Sequence, residues 1–404
     1  MRIVGLLFAF ALGLGATAAA LRSLAAYNPS ASEGMLEHLA VHGGQYDLII
    51  VGPSYVQLHF LPELFDQRMR ELGHPLRSFS FGMPQMRGPE IDYYLERIFE
   101  LQLPKLKWLL VDVTLGQLLT LDQPNWYKRR PIKWHEPEQF GQLPRAILNR
   151  TDRTALERAS EITVHTEHLL LNLFNVGEGL IALQSFDTLG APRIRARNEF
   201  APRIPSEKKL RLTTRKYKRR RKWHVNLTQT LIELRKQAPK EPQSTGMIVG
   251  FRNRIRAHGV QPLFVLSPLL RDTRIDKRVP GDEPLTVLDF NDPLLYPALY
   301  NYKLRSNATH FHYYGARVYT LALADRFAAH IEGREGPPRM VVEQMALQRA
   351  AEQAAPEEPA SQETEDDADE DDADEDDTDE DDADEPATDP QLEAEAESGM
   401  GGER

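Results

Sequence analysis

Residues 48–51 form a continuous apolar run, Leu-Ile-Ile-Val, which stops at Gly52-Pro53 and presents Ser54 immediately afterwards. A run that is apolar at every position is typical of a parallel strand covered on both faces. Open α/β sheets bind their ligands at the carboxyl ends of such strands. The run therefore predicts a central parallel strand with Ser54 at the ligand-binding edge of the sheet.

Strand-like and helix-like segments alternate on both sides of a long middle stretch. The predicted strands are residues 48–51, 76–81, 108–113, 262–266 and 286–290, and the predicted helices are residues 62–72, 89–101, 244–258 and 315–331. Consecutive β-α-β units build parallel sheets with helices packed on the faces. The pattern predicts an α/β fold, a three-layer sandwich with a central parallel sheet.

The alternation breaks between residues 122 and 243, where two helical patterns, 157–183 and 207–236, are found. We interpret this stretch as a helical basic insertion over the carboxyl edge of the sheet, within a domain spanning residues 46–335. Its basic run from Arg215 to Lys222 would suit an anionic lipid or an acidic polymer. The alternative is a solvated charged helix face, and nucleic acid is not expected as the target.

The end of the chain is strongly acidic. Residues 351–404 contain 26 acidic residues and one arginine, so their net charge of −25 leaves +14 for residues 1–350 out of the total of −11. Segments with few apolar residues and one sign of charge cannot offset the entropy of ordering. Residues 336–404 are therefore predicted to be a disordered acidic tail, which solubilises the protein, binds cations or folds back on the basic body.

The chain begins Met1-Arg2 and then has no charged residue through residue 20. A basic start followed by apolar and small residues is typical of a signal peptide, and this stretch is also long enough to span a bilayer. Residues 1–26 are predicted to be a signal peptide or an N-terminal membrane anchor, and residues 27–45 a linker with a short helix. Both alternatives predict an exported protein, periplasmic or extracytoplasmic, and a retained anchor would tether it to the inner membrane. A buried helix of a cytosolic protein is the third alternative.

A second chemically informative segment places His310 shortly before the last predicted helix. A serine hydroxyl becomes a useful nucleophile when a positioned base removes its proton. Histidine titrates near neutral pH and is the usual base. Ser54 and His310 together therefore predict a serine hydrolase or acyltransferase, and a helix cap is the alternative role for His310.

The order and spacing of these segments resemble the SGNH (GDSL-like) hydrolase superfamily. The closest likeness is to its envelope branch, typified by alginate acetyltransferases and the D-alanyl transfer protein of teichoic acid synthesis. Residues 52–54 are similar to the family's Gly-x-Ser turn after the first strand, and Gly82 to its glycine after the second. Residues 108–117 contain a strand and a glycine but not the family's asparagine. The last block, Asp-x-x-His in the family, is present with Asn307 in the acid position and His310 as the base.

The resemblance covers residues 46–327 and implies a flavodoxin-like strand order and an acyl-enzyme mechanism. The sequence contains no Gly-rich phosphate loop, zinc-spaced His/Cys cluster or dinucleotide fingerprint, so no cofactor or metal is expected. It also implies an oxyanion hole, in which backbone N–H groups stabilise the charge that develops in the transition state. Ser54 and Gly82 would supply two of these N–H groups. Gln117 or Gln85 would replace the missing asparagine.

Asn307 departs from the family pattern. An aspartate at this position would hold the imidazole tautomer and also stabilise the imidazolium, whereas a neutral amide achieves only the first. Asp292 would supply the missing charge if its loop folds back toward His310.

Aromatic and basic residues cluster in residues 126–136. Guanidinium groups suit anions and aromatic faces suit sugar rings, so Trp126, Arg130, Trp134 and His135 are predicted to form a substrate rim. An ordinary exposed loop is the alternative. The implied substrates are an acyl-group donor and an envelope glycan or lipid acceptor. The alternative function is that of a catalytically weak or inactive SGNH-fold protein that binds or assembles envelope components.

Overall fold

Five short segments form one parallel sheet. Its strands are β1 (Leu48–Gly52), β2 (Ser78–Gly82), β3 (Trp108–Asp112), β4 (Gln261–Leu266) and β5 (Val287–Asp289). Their order is β2-β1-β3-β4-β5, and every neighbouring pair is parallel. The registers align Gly52 with Gly82 and Val51 with Val111, so the first three strands end together at one carboxyl edge. The predicted α/β fold with a central parallel sheet is confirmed.

The structure is a computed structural model. It describes residues 5, 9, 12–13, 15–20, 31–114, 132–149, 153–174, 221–237, 246–279, 281–307 and 309–334. The acidic tail predicted at 336–404 lies outside these residues, as does much of the segment predicted to be a signal peptide or anchor. Within the described residues, no helix is long and apolar enough to cross a membrane.

Helices cover both faces of the sheet. The described helices are α1 (Ala31–His42), α2 (Ser54–His59), α3 (Pro62–Glu71), α4 (Gly88–Glu100), α5 (Pro137–Leu148), α6 (Ala155–Leu173), α7 (Arg221–Lys236), α8 (Gly246–Ala257) and α9 (Tyr313–Ile331). Successive side chains of a strand point to opposite faces. In β1, Ile49 and Val51 pack with α1, α4, α5 and α8, whereas Leu48 and Ile50 pack with α2, α3, α7 and α9. This two-sided burial explains why the run is apolar at every position.

The boundaries of α3 follow from its terminal residues. Pro62 occupies the first turn, where no backbone N–H is needed. Gly73 adopts a φ of 86°, which a glycine tolerates and which ends the helix. The N–H of His74 then caps the C-terminus of α3 by donating a hydrogen bond to the Met69 carbonyl at 2.9 Å. The helix predicted at 62–72 is therefore present, and its last residue is Glu71.

The described part of the predicted linker, 27–45, contributes α1 to the core. Met35 and Leu39 lie one helical turn apart and pack into the same core as Ile49. His38 Nε2 also lies 2.8 Å from the Tyr46 hydroxyl. The interpretation of this range as a linker is corrected accordingly, because the domain includes α1 as well as the residues from 46 onward.

The predicted insertion, 122–243, is described through α5, α6 and α7. Leu143 and Ile147 of α5 join the core on the α4 side of the sheet. Leu231 of α7 packs into the core on the opposite face. Helices α5 and α7 of the insertion therefore pack on opposite faces of the sheet. Most of the basic run from Arg215 to Lys222 lies outside the described residues.

Candidate active site

Ser54 is the first residue of α2 and directly follows the strand–helix turn after β1. Pro53 is extended, so the chain leaves the strand and enters the helix within two residues. The turn requires glycine at position 52, because a Cβ there would lie 2.6 Å from Val56 Cγ2 and 2.7 Å from Asp112 Cβ. Neighbouring strands β2 and β3 lie on opposite sides of β1. Ser54 therefore lies at the switch point where such sheets bind ligands.

The loop that carries His310 is a narrow hairpin. Arg305 and Phe311 close it through an isolated antiparallel bridge. Inside the hairpin, Asn307 Oδ1 accepts the backbone N–H groups of Thr309 at 2.9 Å and of His310 at 2.8 Å. A short polar side chain that bonds its own backbone in this way fixes a turn. Asn307 therefore sets the conformation of the loop that presents His310.

The structure brings Ser54 and His310 together. Ser54 Oγ lies 2.8 Å from His310 Nε2. The other ring nitrogen, Nδ1, lies 3.2 Å from Asn307 Oδ1 and 3.0 Å from Thr309 Oγ1. An amide oxygen can only accept, so the proton of the neutral ring belongs on Nδ1 and Nε2 can accept the serine proton. This is the tautomer in which a histidine acts as a general base toward serine.

The surroundings of His310 oppose a positive charge on its ring. Burial and, to a smaller extent, the guanidinium of Arg305 lower the pKa of His310 to about 4. Arg305 is 1 % exposed and donates from Nη2 to the carbonyls of Pro268 and Leu299, at 2.9 and 3.0 Å. Asn307 brings no compensating negative charge. His310 is therefore neutral at pH 7 and can accept a proton, but the resulting imidazolium is poorly stabilised.

The structure does not place Asp292 as an acid for His310. The Asp292 carboxylate accepts the N–H groups of Leu294 at 2.9 Å and Leu295 at 3.3 Å within its own turn. The hydrogen bonds that reach His310 Nδ1 in the described residues come from Asn307 and Thr309 instead. The alternative in which Asp292 completes a triad is therefore not supported.

Gly82, one of the predicted oxyanion-hole residues, lies against the helix that begins at Ser54. A Cβ at Gly82 would lie 2.3 Å from Gln57 N and 2.7 Å from Gln57 Cα, so glycine allows α2 to pack directly on the end of β2. The N–H of Ser54 lies in the first turn of α2, where backbone donors have no intrahelical acceptor. Gln85 follows β2 with a φ of 54°, which is uncommon for a residue with a side chain. Gln117 lies outside the described residues.

A buried polar cluster adjoins the site at the ends of β3 and β4. The Asp112 carboxylate accepts the Ser267 hydroxyl at 2.5 Å and the Thr114 N–H at 2.9 Å. Burial raises the pKa of Asp112 to about 6, although these bonds act in the opposite direction. Sequence reasoning missed this cluster. The available signals were an acidic residue at the end of one apolar run and a Ser-Pro step at the end of another.

Sequence reasoning also missed two buried basic residues beside His310. The ring centroids of His59 and His310 are 5.8 Å apart. The guanidinium of Arg305 lies 4.7 Å from the ring centroid of Phe311, the residue that follows the histidine. A single basic residue in a polar loop gives no indication that it is buried. His59 gave no such indication either, because the short helix that carries it, Ser54–His59, was not predicted.

The prediction that Trp134 and His135 form a substrate rim is wrong. Trp134 is 2 % exposed, His135 is fully buried, and their rings stack at 3.7 Å between centroids. His135 Nε2 lies 2.8 Å from His165 Nδ1 of α6. Both residues therefore belong to the packing between the insertion helices and the sheet. Trp126 and Arg130, the other predicted rim residues, lie outside the described residues.

The fold and the site define an α/β protein with a serine–histidine pair at the carboxyl edge of a parallel sheet. Among the residues that the structure describes, no group of three or more His, Asp or Glu side chains is placed to bind a metal ion. No protein family, curated protein or solved structure compared with this chain matches it.

Proposed function

We propose that this protein is a serine esterase or O-acyltransferase of the SGNH type. Ser54 is the nucleophile, His310 the general base and Asn307 the group that orients the imidazole. The observation that carries the proposal is the 2.8 Å contact between Ser54 Oγ and His310 Nε2. It lies at the edge of the sheet where α/β proteins bind their ligands.

The first half-reaction transfers the acyl group to Ser54. Its Oγ attacks the acyl carbon, and the hydroxyl proton passes to His310 Nε2. The backbone N–H groups of Ser54 and Gly82 receive the negative charge that develops on the carbonyl oxygen. When the tetrahedral intermediate collapses, the bond to the donor's oxygen breaks, and that oxygen takes the proton from His310.

The second half-reaction removes the acyl group from Ser54. Water or a sugar hydroxyl gives its proton to His310 Nε2 and attacks the acyl carbon. Collapse breaks the bond to Ser54 Oγ, which recovers the proton from the histidine. Water as acceptor makes the protein an esterase, and a glycan hydroxyl makes it an O-acyltransferase.

The strand order supports the SGNH assignment. An order of 2-1-3-4-5 is that of flavodoxin-like doubly wound sheets, which is the order that the sequence resemblance implies. Gly52 and Gly82 occupy the positions of the family's first two blocks, and neither has space for a Cβ. The third block departs from the family, and Asn307 replaces the acid of the fourth.

The proposed setting is the bacterial envelope. It rests on the apolar N-terminal segment and on the resemblance to envelope acyltransferases. The substrates would be an acyl-group donor and an envelope glycan or lipid acceptor, with the protein exported and tethered to the inner membrane. The basic run from Arg215 to Lys222 would attract an anionic lipid or polymer.

A second candidate is a catalytically weak or inactive protein that binds or assembles envelope components. The observation that favours it is the environment of His310, whose pKa of about 4 reflects burial and a neighbouring cation. Without a carboxylate at position 307, the imidazolium formed during acyl transfer has no charged partner. Such a protein would bind ligands at the carboxyl edge of the sheet but would transfer acyl groups slowly or not at all.

Hydrolysis of p-nitrophenyl acetate separates the two candidates. The first predicts a rate above the uncatalysed background that is lost in Ser54→Ala and in His310→Gln. Ser267→Ala is the matched control, because Ser267 also follows a strand at the same edge but donates its hydroxyl to Asp112 at 2.5 Å. It should retain the activity. If the wild-type protein and Ser54→Ala both match the background, esterase activity is absent and the binding role is favoured.

A further inference from the structure

His59 is a buried residue on the same short helix as the proposed nucleophile. It ends α2, the helix that begins at Ser54, and its side chain is fully buried. Its imidazole contacts the rings of His310 and Phe311, at 5.8 and 4.7 Å between centroids. A titratable side chain in this position is not used by the proton transfers proposed above.

Two hydrogen bonds connect α2 to the hairpin of His310. The first joins Ser54 Oγ to His310 Nε2, at 2.8 Å. In the second, the N–H of Phe311 donates to His59 Nε2 at 3.1 Å. The donor is the backbone of the residue that directly follows His310. The bond to His59 therefore fixes the main chain next to His310, whereas the bond to Ser54 involves the side chain of His310.

The protonation state of His59 is set by its contacts. Because Nε2 accepts a hydrogen bond, the single proton of the neutral ring lies on Nδ1. Nδ1 is buried and has no hydrogen-bond partner among the described residues. Burial, followed by the charges of His310 and Arg305, lowers the pKa of His59 well below its usual value. His59 therefore stays neutral and keeps its acceptor while His310 exchanges protons.

We propose that His59 is a positioning residue that holds His310 in line with Ser54 by anchoring the Phe311 backbone. In triad hydrolases, a charged acid on the far side of the imidazole contributes to that alignment. Here Asn307 is a neutral and weaker orienter, and His59 adds a restraint from the helix of the nucleophile itself. The inference rests on the proposed function, since it assigns a role within the same reaction.

Two substitutions at His59 distinguish loss of the hydrogen-bond acceptor from loss of the imidazole ring. His59→Leu removes the acceptor and leaves the Phe311 N–H without a partner. His59→Gln keeps an oxygen that can reach this N–H. Because misplacing catalytic groups by about 1 Å can lower a rate about 100-fold, His59→Leu should lower kcat by about 10- to 100-fold. KM should stay within about twofold, and His59→Gln should recover most of the rate.

The measurement is kcat per active site for p-nitrophenyl acetate, with active sites counted by fluorophosphonate incorporation followed to completion, so that a slowly labelled site is still counted. This count corrects for molecules that fail to fold. If His59→Leu yields no folded protein, His59→Asn replaces it, because its amide is too short to reach Phe311. The matched control is Thr320→Val. The Thr320 hydroxyl donates to the His59 carbonyl at 3.0 Å and accepts the Leu61 N–H at 3.1 Å. Removing this hydroxyl weakens the packing at the end of α2 but leaves the bond between His59 and Phe311 in place.

If His59 acts by anchoring Phe311, Thr320→Val should lower the free energy of unfolding, because two buried hydrogen bonds are lost, but should leave kcat per active site close to that of wild type. Equal kcat values for His59→Leu and wild type would overturn the inference while leaving the proposed function intact. A loss of rate in His59→Gln as large as in His59→Leu would also overturn it. A wild-type protein no faster than Ser54→Ala would remove the proposed function, and the role of His59 with it.

Discussion

Asn307 Oδ1 lies 3.2 Å from His310 Nδ1, on the side of the imidazole opposite Ser54. The same oxygen accepts the backbone N–H of His310 at 2.8 Å, so the amide holds both the ring and its main chain. It fixes the tautomer that a general base needs but supplies no negative charge. Arg305, which is buried nearby, adds to the cost of forming an imidazolium.

Replacing Asn307 with aspartate should raise the turnover of p-nitrophenyl acetate by about tenfold. A carboxylate keeps the acceptors of the amide and adds a charge that favours the imidazolium, which can raise a neighbouring pKa by about one to three units. The measurement is kcat at pH 8 for Asn307→Asp and wild type. Asp292→Asn is the control and should leave kcat unchanged. An Asn307→Asp rate equal to that of wild type would show that another group already supplies the charge.

The pH dependence of hydrolysis should reflect the depressed pKa of His310. Only the neutral ring accepts the serine proton, so the rate should decline as the pH falls through about 4, the value that burial and Arg305 impose. Above that pH, kcat/KM should vary little up to about pH 8. In Asn307→Asp the decline should begin at a higher pH. A wild-type midpoint near 6.5 would contradict this description of the site.

Gly82→Ala should destabilise the fold, because its Cβ would lie 2.3 Å from Gln57 N in the helix that begins at Ser54. Overpacking of this kind typically costs about 1–3 kcal/mol. Gly250→Ala in α8 is the matched control, since the added Cβ would meet nothing within 4 Å beyond the neighbouring backbone of its own helix. Removing a glycine from a helix interior should stabilise it by about 0.5–1 kcal/mol. Urea unfolding measures both, and equal effects would contradict the close approach of α2 to β2.

Deleting residues 351–404 should strengthen binding to anionic liposomes. The deleted segment carries a net charge of −25, whereas residues 1–350 carry +14. We expect the acidic segment to compete with anionic surfaces for the basic body, and salt should screen this competition over about 10 Å at 0.1 M. Co-sedimentation at low and high salt measures the difference. Equal binding by the full-length and truncated proteins would show that the tail does not mask the basic residues.

The parts of the fold that local sequence patterns determine were predictable. Residues 48–51 are apolar throughout because β1 is buried on both faces, and this composition identifies a central strand. Ser54 and His310 could be selected because each lies beside a boundary between elements. Gly73 directly follows the helix predicted at 62–72, and its φ of 86° is one that favours glycine.

The remaining features depend on contacts between distant segments. An arginine is usually a surface residue, yet Arg305 is buried and donates hydrogen bonds to the Pro268 and Leu299 carbonyls. Trp134 and His135 have the composition of a ligand-binding rim, but packing against α6 and the sheet buries them. In these cases the residue type allows two environments, and only the tertiary contacts decide between them.

A fluorophosphonate probe tests most directly whether Ser54 is a nucleophile activated by His310. The reagent forms a covalent bond with an activated serine hydroxyl, and peptide mass mapping identifies the modified residue. The proposed site predicts a single modification at Ser54, which is absent in Ser54→Ala, strongly slowed in His310→Gln and retained in Ser267→Ala. Incorporation at another serine, or equal incorporation by wild type and His310→Gln, would contradict it.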